Sequence, residues 1–318
     1  MDTVLVTGGT GFIGAHVAAE FVANDHDVVA YDTSTDDSVL RALGVADDVR
    51  IRAGDVTDAE DVATAVRESG ASRIVHLAAV LSDTTETDPR AAHTVNIAGT
   101  CNVFEAAASV PGVDRLVWAS SATVYAPADR YADSDETADD DWWVDEDALY
   151  DPVTLYGATK AYCEEQARVF RDTDGVDDVA LRPTLVYGPH RETGSSSVFS
   201  DLVERPARGE SVSIRYGDQP LAWLHVVDAA RAFYLATVAD ASALTRRIYN
   251  VRGPLATVRE AAGTVRELLD ETDITVSDDG TLPWTQRLDT TAIETDLGFE
   301  PRYDLRRGFQ QYIDAVRA

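Results

Sequence analysis

The segment Thr7-Gly-Gly-Thr-Gly-Phe-Ile-Gly14 follows the apolar run Val4-Leu5-Val6 and precedes a helical pattern near residues 12–24. A glycine-rich turn between a strand and a helix lets a pyrophosphate approach the backbone, and the helix N-terminus offers it free N–H groups. Gly8 permits the tight turn, Gly11 the close approach, and Gly14 the packing of the helix on the strand. This segment therefore predicts a dinucleotide-binding unit at the start of the chain.

Short apolar runs that suit buried parallel strands alternate with helical patterns from this segment onward. The strand candidates are 4–6, 28–31, 74–77, 116–119, 179–181 and 248–250, and the helix candidates are 12–24, 58–69, 91–109, 198–207 and 257–271. The alternation predicts an α/β fold with a doubly wound, Rossmann-type parallel sheet. We expect a dinucleotide-binding domain, 1–186 plus 223–250, and a smaller substrate-binding lobe, 187–222 plus 251–318.

The 318-residue chain is strongly acidic, with 56 Asp and Glu against 27 Lys and Arg and a formal net charge of −29. Such a surface repels phosphate backbones and anionic head groups, so nucleic acid and membrane surfaces are not expected partners. A disordered acidic segment is a second explanation, but here the carboxylates are spread among periodic apolar residues. We therefore interpret the acidity as the solvated surface of a cytoplasmic protein from a salt-accumulating halophile.

Neither a metal site nor a disulfide framework is expected. No His/Cys cluster has the spacing of metal ligands, and the two cysteines, Cys101 and Cys163, lie in helical patterns where we expect buried free thiols,. The sequence near Met1 has no basic region, and no apolar run reaches about 18 residues. Secretion and membrane spanning are therefore not expected.

A carboxylate ends the second predicted strand, at Asp32. At that place it accepts hydrogen bonds from the ribose hydroxyls of a dinucleotide and repels a 2′-phosphate, which favours NAD over NADP. The alternative interpretation of Asp32 is a helix cap or a turn residue. Because the glycine turn precedes it at the expected spacing, we predict NAD as the cofactor,.

Tyr156 and Lys160 are four residues apart, so on a helix both side chains project from one face. A neighbouring ammonium lowers the pKa of a phenol and lets it remove a proton from a substrate hydroxyl while a hydride leaves for the nicotinamide. Ser121, after a predicted strand, would donate a hydrogen bond to the developing carbonyl oxygen. A surface pair is the alternative, but Lys160 is the single lysine among the 27 basic residues and lies where this chemistry needs one,.

Several segments resemble, in order and spacing, the extended short-chain dehydrogenase/reductases of the NAD-dependent epimerase/dehydratase group, over nearly the whole chain. They are Thr7–Gly14, Gly54-Asp55-Val56, His76-Leu-Ala-Ala79, Asn96-Ile-Ala-Gly-Thr100, Ser120–Tyr125, Tyr156-Gly-Ala-Thr-Lys160, Leu181–Pro189 and Trp223–Asp228. Asp55 would meet the adenine. The resemblance implies cofactor contacts from Gly8, Gly11, Phe12, Ile13, Gly14, Asp32, Asp55, Val56, Leu77, Ala78, Ala79, Asn96, Tyr156, Lys160 and Pro183.

Two departures from the family pattern bear on the substrate. Sugar-nucleotide dehydratases carry Asp-Glu where this chain has Ala122-Thr123, so dehydration is not expected, and the segment is similar to that of UDP-glucose 4-epimerases. Many nucleotide-sugar enzymes of the family have Arg-Asp where this chain has Leu221-Ala222, so the phosphate-binding Arg is absent. Arg191 or Arg215 is a possible replacement, and residues 194–209 are similar to the substrate lobe of sugar-acid dehydrogenases. The expected substrate contacts are Ser82, Thr123 and Arg191.

The favoured prediction is a sugar-nucleotide epimerase, with a sugar or sugar-acid dehydrogenase that releases NADH as the first alternative. A non-catalytic NAD-sensing protein is the second. A homodimer is expected, because family members pair through the helices near 91–109 and around Tyr156, where Ala161, Ala167, Val169 and Phe170 are apolar. The acidic segment 129–151 is interpreted as a solvated insertion, and His76 and His225 as structural histidines.

Overall fold

The computed structural model describes residues 2–132, 142–191 and 197–318. Its strands are β1 (Thr3–Thr7), β2 (Asp27–Asp32), β3 (Val49–Ala53), β4 (Arg73–His76), β5 (Arg115–Ala119), β6 (Asp178–Pro183), β7 (Leu185–Tyr187), β8 (Val212–Ile214), β9 (Pro220–His225), β10 (Ile248–Val251), β11 (Leu255–Thr257) and β12 (Ile274–Val276).

Thirteen α-helices connect these strands in the described ranges: α1 (Phe12–Ala23), α2 (Ser38–Ala42), α3 (Ala59–Ser69), α4 (Ser82–Thr85), α5 (Pro89–Ala91), α6 (Thr100–Ser109), α7 (Asp129–Ala132), α8 (Leu155–Asp174), α9 (Val198–Ala207), α10 (Val226–Val238), α11 (Val258–Leu268), α12 (Thr291–Leu297) and α13 (Leu305–Arg317). Ala92–Gly99 is a π-helix, and Ala122–Val124 and Ala241–Ala243 are 3₁₀ turns. None of the helices in these ranges has the length and apolar character that crossing a bilayer requires.

The central sheet has seven parallel strands in the order β10-β6-β5-β4-β1-β2-β3. From β1 the chain runs outward through β2 and β3, then returns to the other side of β1 for β4, β5, β6 and β10. This reversal confirms the predicted doubly wound sheet. In such sheets a crevice opens at the carboxyl ends of the strands, where the order reverses.

Side chains alternate between the two faces of the sheet, as strand geometry requires. On β1, Val4 and Val6 pack in a core with α1 and α10, whereas Leu5 packs in a second core with α3, α6 and α8. Both faces are therefore covered by helices. This explains why the strands read as continuous apolar runs.

The region predicted as one helix, 91–109, is a composite of α5, the π-helix Ala92–Gly99 and α6. Periodicity did not separate these pieces, because the change is in the backbone hydrogen bonds, which run from i to i+5 in a π-helix, and no residue type marks it. π-Helical stretches are rare and frequently lie at functional sites. Here the stretch contains Asn96.

Two small sheets and a third core lie beside the central sheet. β7, β9 and β11 make one sheet, β8 and β12 the other, and residues of both pack with α9, α11 and α13. Because β9 spans residues 220–225, it runs across the predicted boundary at 222/223. The division into a cofactor domain and a substrate lobe remains a proposal. In the acidic segment 129–151, residues 133–141 lie outside the described residues.

Candidate active site

A cavity of about 620 Å³ lies at the carboxyl ends of the central strands. Its walls include nearly all the residues singled out from the sequence: Gly8, Gly11, Phe12, Ile13, Gly14, Asp32, Asp55, Val56, Leu77, Ala78, Ala79, Ser82, Ser121, Thr123, Tyr156, Lys160, Pro183 and Arg191. The topology thus brings predicted residues that are spread from position 8 to position 191 of the chain into one crevice. Among the described residues, no group of three or more His, Cys, Asp or Glu side chains is placed to hold a metal ion.

The glycine turn after β1 packs so closely on its surroundings that side chains are excluded. Gly8 has a φ of +70°, and a Cβ there would lie 2.9 Å from the Ala78 amide nitrogen. A Cβ on Gly14 would lie 2.0 Å from the Gly8 carbonyl oxygen. Helix α1 begins after Gly11 without a side-chain cap, so its first N–H groups point into the crevice unsatisfied by a side chain,. This cradle fits a pyrophosphate.

Asp32 ends β2 beside this turn. Its two carboxylate oxygens accept hydrogen bonds from the backbone N–H groups of Thr10 and Ser34, each at 3.2 Å. The carboxylate is therefore both a turn-stabilising group and part of the cavity wall. Asp32 thus has the turn role that was the alternative interpretation and also faces the cavity. Its position fits the ribose of an adenine dinucleotide.

Helix α8 carries Tyr156 and Lys160 on the face turned to the cavity. The helix starts after Thr154, whose hydroxyl oxygen accepts a hydrogen bond from the Gly157 N–H at 3.1 Å. A Cβ on Gly157 would lie 2.2 Å from the Thr123 carbonyl oxygen. Glycine at this position therefore lets the first turn of α8 press against the turn that carries Ser121.

Lys160 is buried, with 3% of its surface exposed. Its Nζ donates a hydrogen bond to the Ala119 carbonyl oxygen at 2.8 Å and lies 5.7 Å from the centre of the Tyr156 ring. Burial lowers the pKa of Lys160, while the charges on Cys163 and Glu164 act in the opposite direction. The ammonium is thus fixed at the end of β5, next to the phenol.

Ser121 follows β5 and opens the 3₁₀ turn Ala122–Val124. Its Oγ accepts hydrogen bonds from the Thr123 N–H at 3.2 Å and from the Thr123 hydroxyl at 2.9 Å. Burial raises the pKa of Tyr156 to about 12, and the charge of Arg191 and a hydrogen bond with Ser121 counteract it. A serine hydroxyl, a phenol and an ammonium therefore lie in the same cavity wall, and these are the groups that acid–base chemistry at a secondary hydroxyl uses,.

Of the three expected substrate contacts, Arg191 carries the positive charge. Its guanidinium donates to the Val186 carbonyl oxygen and lies 5.9 Å from the centre of the Phe12 ring. Burial lowers the pKa of Arg191 to about 10. Arg215, the alternative, lies instead against Tyr216 and the Asp279 carbonyl oxygen, outside the residues that line the cavity.

Asn96 is not among the cavity-lining residues, although it was expected to contact the cofactor. Its amide is buried and pairs with the backbone of Val80, accepting from the N–H at 2.8 Å and donating to the carbonyl oxygen at 2.9 Å. Its Nδ2 also lies 3.3 Å from the Thr159 hydroxyl of α8. The structure therefore gives Asn96 a supporting contact, since Val80 itself lines the cavity.

The two histidines are buried among structural partners, as expected. His76 lies between the hydroxyls of Thr7 at 2.7 Å and Thr100 at 3.0 Å, and burial lowers its pKa to about 3. His225 stacks on Tyr303 with ring centres 4.1 Å apart, and burial lowers its pKa to about 4. Both imidazoles are therefore neutral near pH 7.

Sequence reasoning missed several cavity residues. They are Tyr31, Thr33, Gly54, Val80, Leu81, Asp83, Thr84, Val95, Ala119, Ser120, Ala122, Thr184, Leu185, Val186 and Trp284. Most lie inside or next to the quoted motifs, so assigning every residue of each motif and one or two neighbours to the site finds them. Trp284 is different, because it lies far along the chain in an irregular stretch and no periodicity or motif marks it.

Residues 4–251 match the model of the NAD dependent epimerase/dehydratase family. A 2-alkyl-3-oxoalkanoate reductase of Stenotrophomonas maltophilia is 30% identical over 73% of this chain and 64% of its own length. UDP-glucuronate 4-epimerase 4 of Arabidopsis thaliana is 26% identical over 98% of this chain and 74% of its own. The chain thus spans just under two thirds of the reductase.

Among solved structures, the UDP-glucose 4-epimerase of Thermus thermophilus, in complex with NAD, superposes with a TM-score of 0.82. That chain is 26% identical, and the match covers 99% of both chains. The two proteins therefore share the fold over nearly their whole length.

Proposed function

The chain belongs to the NAD-dependent epimerase/dehydratase family, and on that premise we propose that it epimerises a secondary hydroxyl of a nucleotide sugar, as a UDP-glucose 4-epimerase does. The hydroxyl is oxidised to a ketone, and the ketone is reduced again on its opposite face. NAD, on which the enzyme depends, supplies the hydride acceptor for the first half and the hydride donor for the second.

In the proposed mechanism the Tyr156 phenolate takes the proton of the substrate hydroxyl as the C–H hydride leaves the same carbon. The Lys160 ammonium stabilises the phenolate, and the Ser121 hydroxyl donates to the oxygen that becomes the carbonyl. Thr123, bonded to Ser121, stands where dehydratases need an acid. In the reverse direction Tyr156 returns the proton to the oxygen.

The observation that carries this proposal is the meeting of Ser121, Tyr156 and buried Lys160 in the cavity whose far side is the glycine cradle with Asp32. Such a cavity suits hydride transfer at a carbon held over the cofactor. Ala122 and Thr123 in place of an acid–base pair favour transfer without elimination of water.

A second candidate is a dehydrogenase that releases its ketone and NADH. Leu221, where many nucleotide-sugar enzymes carry an Arg, is a fully buried apolar residue, as is Ala222 beside it. Within the described ranges, the basic residues that line the cavity are Lys160 and Arg191, and the acidic ones are Asp32, Asp55 and Asp83. One guanidinium on the substrate side suits a singly charged acid better than a nucleotide diphosphate.

Cofactor turnover distinguishes the two candidates. The enzyme is incubated in molar KCl with NAD and, in turn, UDP-glucose, UDP-glucuronate, free sugars and sugar acids. An epimerase converts a UDP-sugar to its epimer without net NADH, whereas a dehydrogenase accumulates the reduced-nicotinamide absorbance. If no UDP-sugar is epimerised and a sugar acid yields NADH, the epimerase proposal fails in favour of the second.

Asp32→Ala is expected to weaken NAD binding by about tenfold or more, because a hydrogen bond to a charged group contributes roughly 1.5–3 kcal/mol. The loss of its charge also removes the repulsion of a 2′-phosphate, so the preference for NAD over NADP should narrow. Calorimetric titration with both dinucleotides measures this. Asp47→Asn, at an exposed carboxylate outside the cavity lining, is the control, and an unchanged NAD/NADP ratio in Asp32→Ala contradicts the assignment.

We further propose that the acidic surface is an adaptation to cytoplasmic salt. Because the net charge is −29, screening should relieve self-repulsion, and the melting temperature should rise by roughly 5–10 °C between about 0.1 M and about 2 M KCl,. Differential scanning calorimetry measures the change. A melting temperature independent of salt would contradict this adaptation.

A homodimer through α8 also remains a proposal, but the structure changes which residues of this helix could face a partner. Of the residues expected to face a partner, Ala167 is buried inside the protomer and Phe170 stacks on Phe104 with ring centres 5.2 Å apart. Val169 and Tyr162, in contrast, are exposed. The sequence pattern did not separate the inner from the outer face, because both faces of this helix carry apolar residues.

A further inference from the structure

A fully buried ion pair lies directly behind the proposed catalytic residues. Arg182 and Glu164 have no exposed side-chain surface and are bonded through one edge of the guanidinium, with Nε donating to Glu164 Oε1 at 2.8 Å and Nη2 donating to Oε2. Glu164 stands one helical turn after Lys160 and two after Tyr156, on the same face of α8,. The pair therefore continues the stripe of side chains that begins in the cavity.

The Glu164 carboxylate joins the elements that carry the cavity residues. The Ser120 hydroxyl donates to its Oε1, and Ser120 directly precedes Ser121 at the end of β5. Arg182 directly precedes Pro183 at the end of β6, and Pro183 lines the cavity. One carboxylate thus ties α8 to the ends of two central strands.

The same pair reaches the C-terminal part of the acidic segment 129–151. The Tyr150 hydroxyl donates to Glu164 Oε2 at 2.7 Å, and Arg182 donates to the Tyr125 hydroxyl. That hydroxyl lies 2.9 Å from Asn250 Oδ1 of β10 and 3.0 Å from the Asp145 carbonyl oxygen. Residues from five parts of the chain are therefore held around this one ion pair.

Stability alone does not explain such a pair. Desolvating two charges costs about as much as their attraction returns, so well-packed apolar residues are often as stable. A buried pair with every oxygen bonded does, however, fix geometry. A displacement of about 1 Å at a catalytic group can cost about a hundredfold in rate.

We propose that Glu164, oriented by Arg182, is a positioning residue that holds Lys160 and Ser121 in register with Tyr156 for hydride transfer. This inference rests on the proposed function for its chemistry, but the positions of the three side chains can be tested apart from turnover. Glu164 touches neither substrate nor cofactor, since it is not among the cavity-lining residues.

The pKa of Lys160 depends on the charges around it, so its titration reports whether Glu164 acts on Lys160. The titratable groups facing it are Tyr156, Cys163 and Glu164 on its own helix and His76 on β4, with Arg182 behind Glu164. His76 is neutral near pH 7 and burial raises the pKa of the Cys163 thiol, so neither changes charge near neutrality. Loss of the Glu164 charge removes a negative charge near Lys160 and leaves the positive charge of Arg182 uncompensated. Both changes disfavour the Lys160 ammonium and lower its pKa.

The test uses the fact that the chain has one lysine. In protein labelled with ¹³C-lysine, the single side-chain signal reports the Lys160 charge, and its titration midpoint in Glu164→Gln is expected to fall by about one pH unit. Glu165→Gln, on the exposed side of the same helix, should leave the midpoint unchanged. On a substrate that the wild type turns over, kcat should fall about 10–100-fold with KM for NAD nearly constant.

A double variant keeps the test decisive if Glu164→Gln does not fold. Glu164→Met with Arg182→Met replaces both charges by apolar groups, which is often tolerated. A lower Lys160 midpoint and a reduced kcat in this variant support the inference, whereas wild-type values of both overturn it. If the wild type turns over none of the substrates, the proposed function fails, but the lysine titration still decides this inference.

Discussion

Replacing Tyr156 by phenylalanine is expected to lower kcat by about a thousandfold, because a positioned acid–base group contributes roughly 10²–10⁴ in rate. The ring keeps its packing against Lys160, so the affinity for NAD should change less than about threefold. Steady-state kinetics with the substrate found in the turnover experiment gives kcat. Calorimetric titration gives the dinucleotide affinity.

The pH profile separates a chemical role of Tyr156 from a structural one. Burial raises its pKa to about 12, so near neutrality the phenolate fraction, and with it kcat/KM for oxidation, should increase about tenfold per pH unit,. In Tyr156→Phe this rise should vanish. If the variant keeps full activity and the same profile, the phenol has no chemical task, and a non-catalytic NAD-binding role regains support.

Substitution of Lys160 is expected to cost about 10²–10³ in kcat, even when the charge is kept as arginine. Lys160 Nζ is buried and donates to the Ala119 carbonyl oxygen, in a space that suits a compact ammonium and not a planar guanidinium,. Lys160→Met should have a similar cost and shift the rise of kcat/KM to higher pH, since the phenolate loses its cation. Both rates and the pH profiles are measured as for Tyr156.

The matched control for Lys160→Arg is the reverse exchange on the exposed side of the same helix. Arg168 pairs there with Glu165 and Asp172, and Arg168→Lys should leave kcat unchanged. Equal activity of Lys160→Arg and wild type would contradict the argument from the single lysine. Circular dichroism of each variant checks that α8 is retained.

Local sequence patterns predicted the fold more completely than they predicted the residues of the candidate site. The glycine turn, β2 with Asp32 and the pair Tyr156 and Lys160 are all encoded within a few residues, so periodicity and spacing located them. The prediction of one helix over 91–109 was wrong in detail, because a π-helical stretch is defined by its backbone hydrogen bonds and no residue type marks where they change,.

What the sequence by itself determined is the sheet type and, as predictions, the residues proposed for dinucleotide binding and proton transfer. These depend on interactions between neighbours in the chain. Only the tertiary structure decided that Trp284 walls the cavity, that Asn96 holds Val80, and that Glu164 meets Arg182 behind the site. Those contacts join segments far apart in sequence, and the packing of whole elements, which no local period encodes, brings them together.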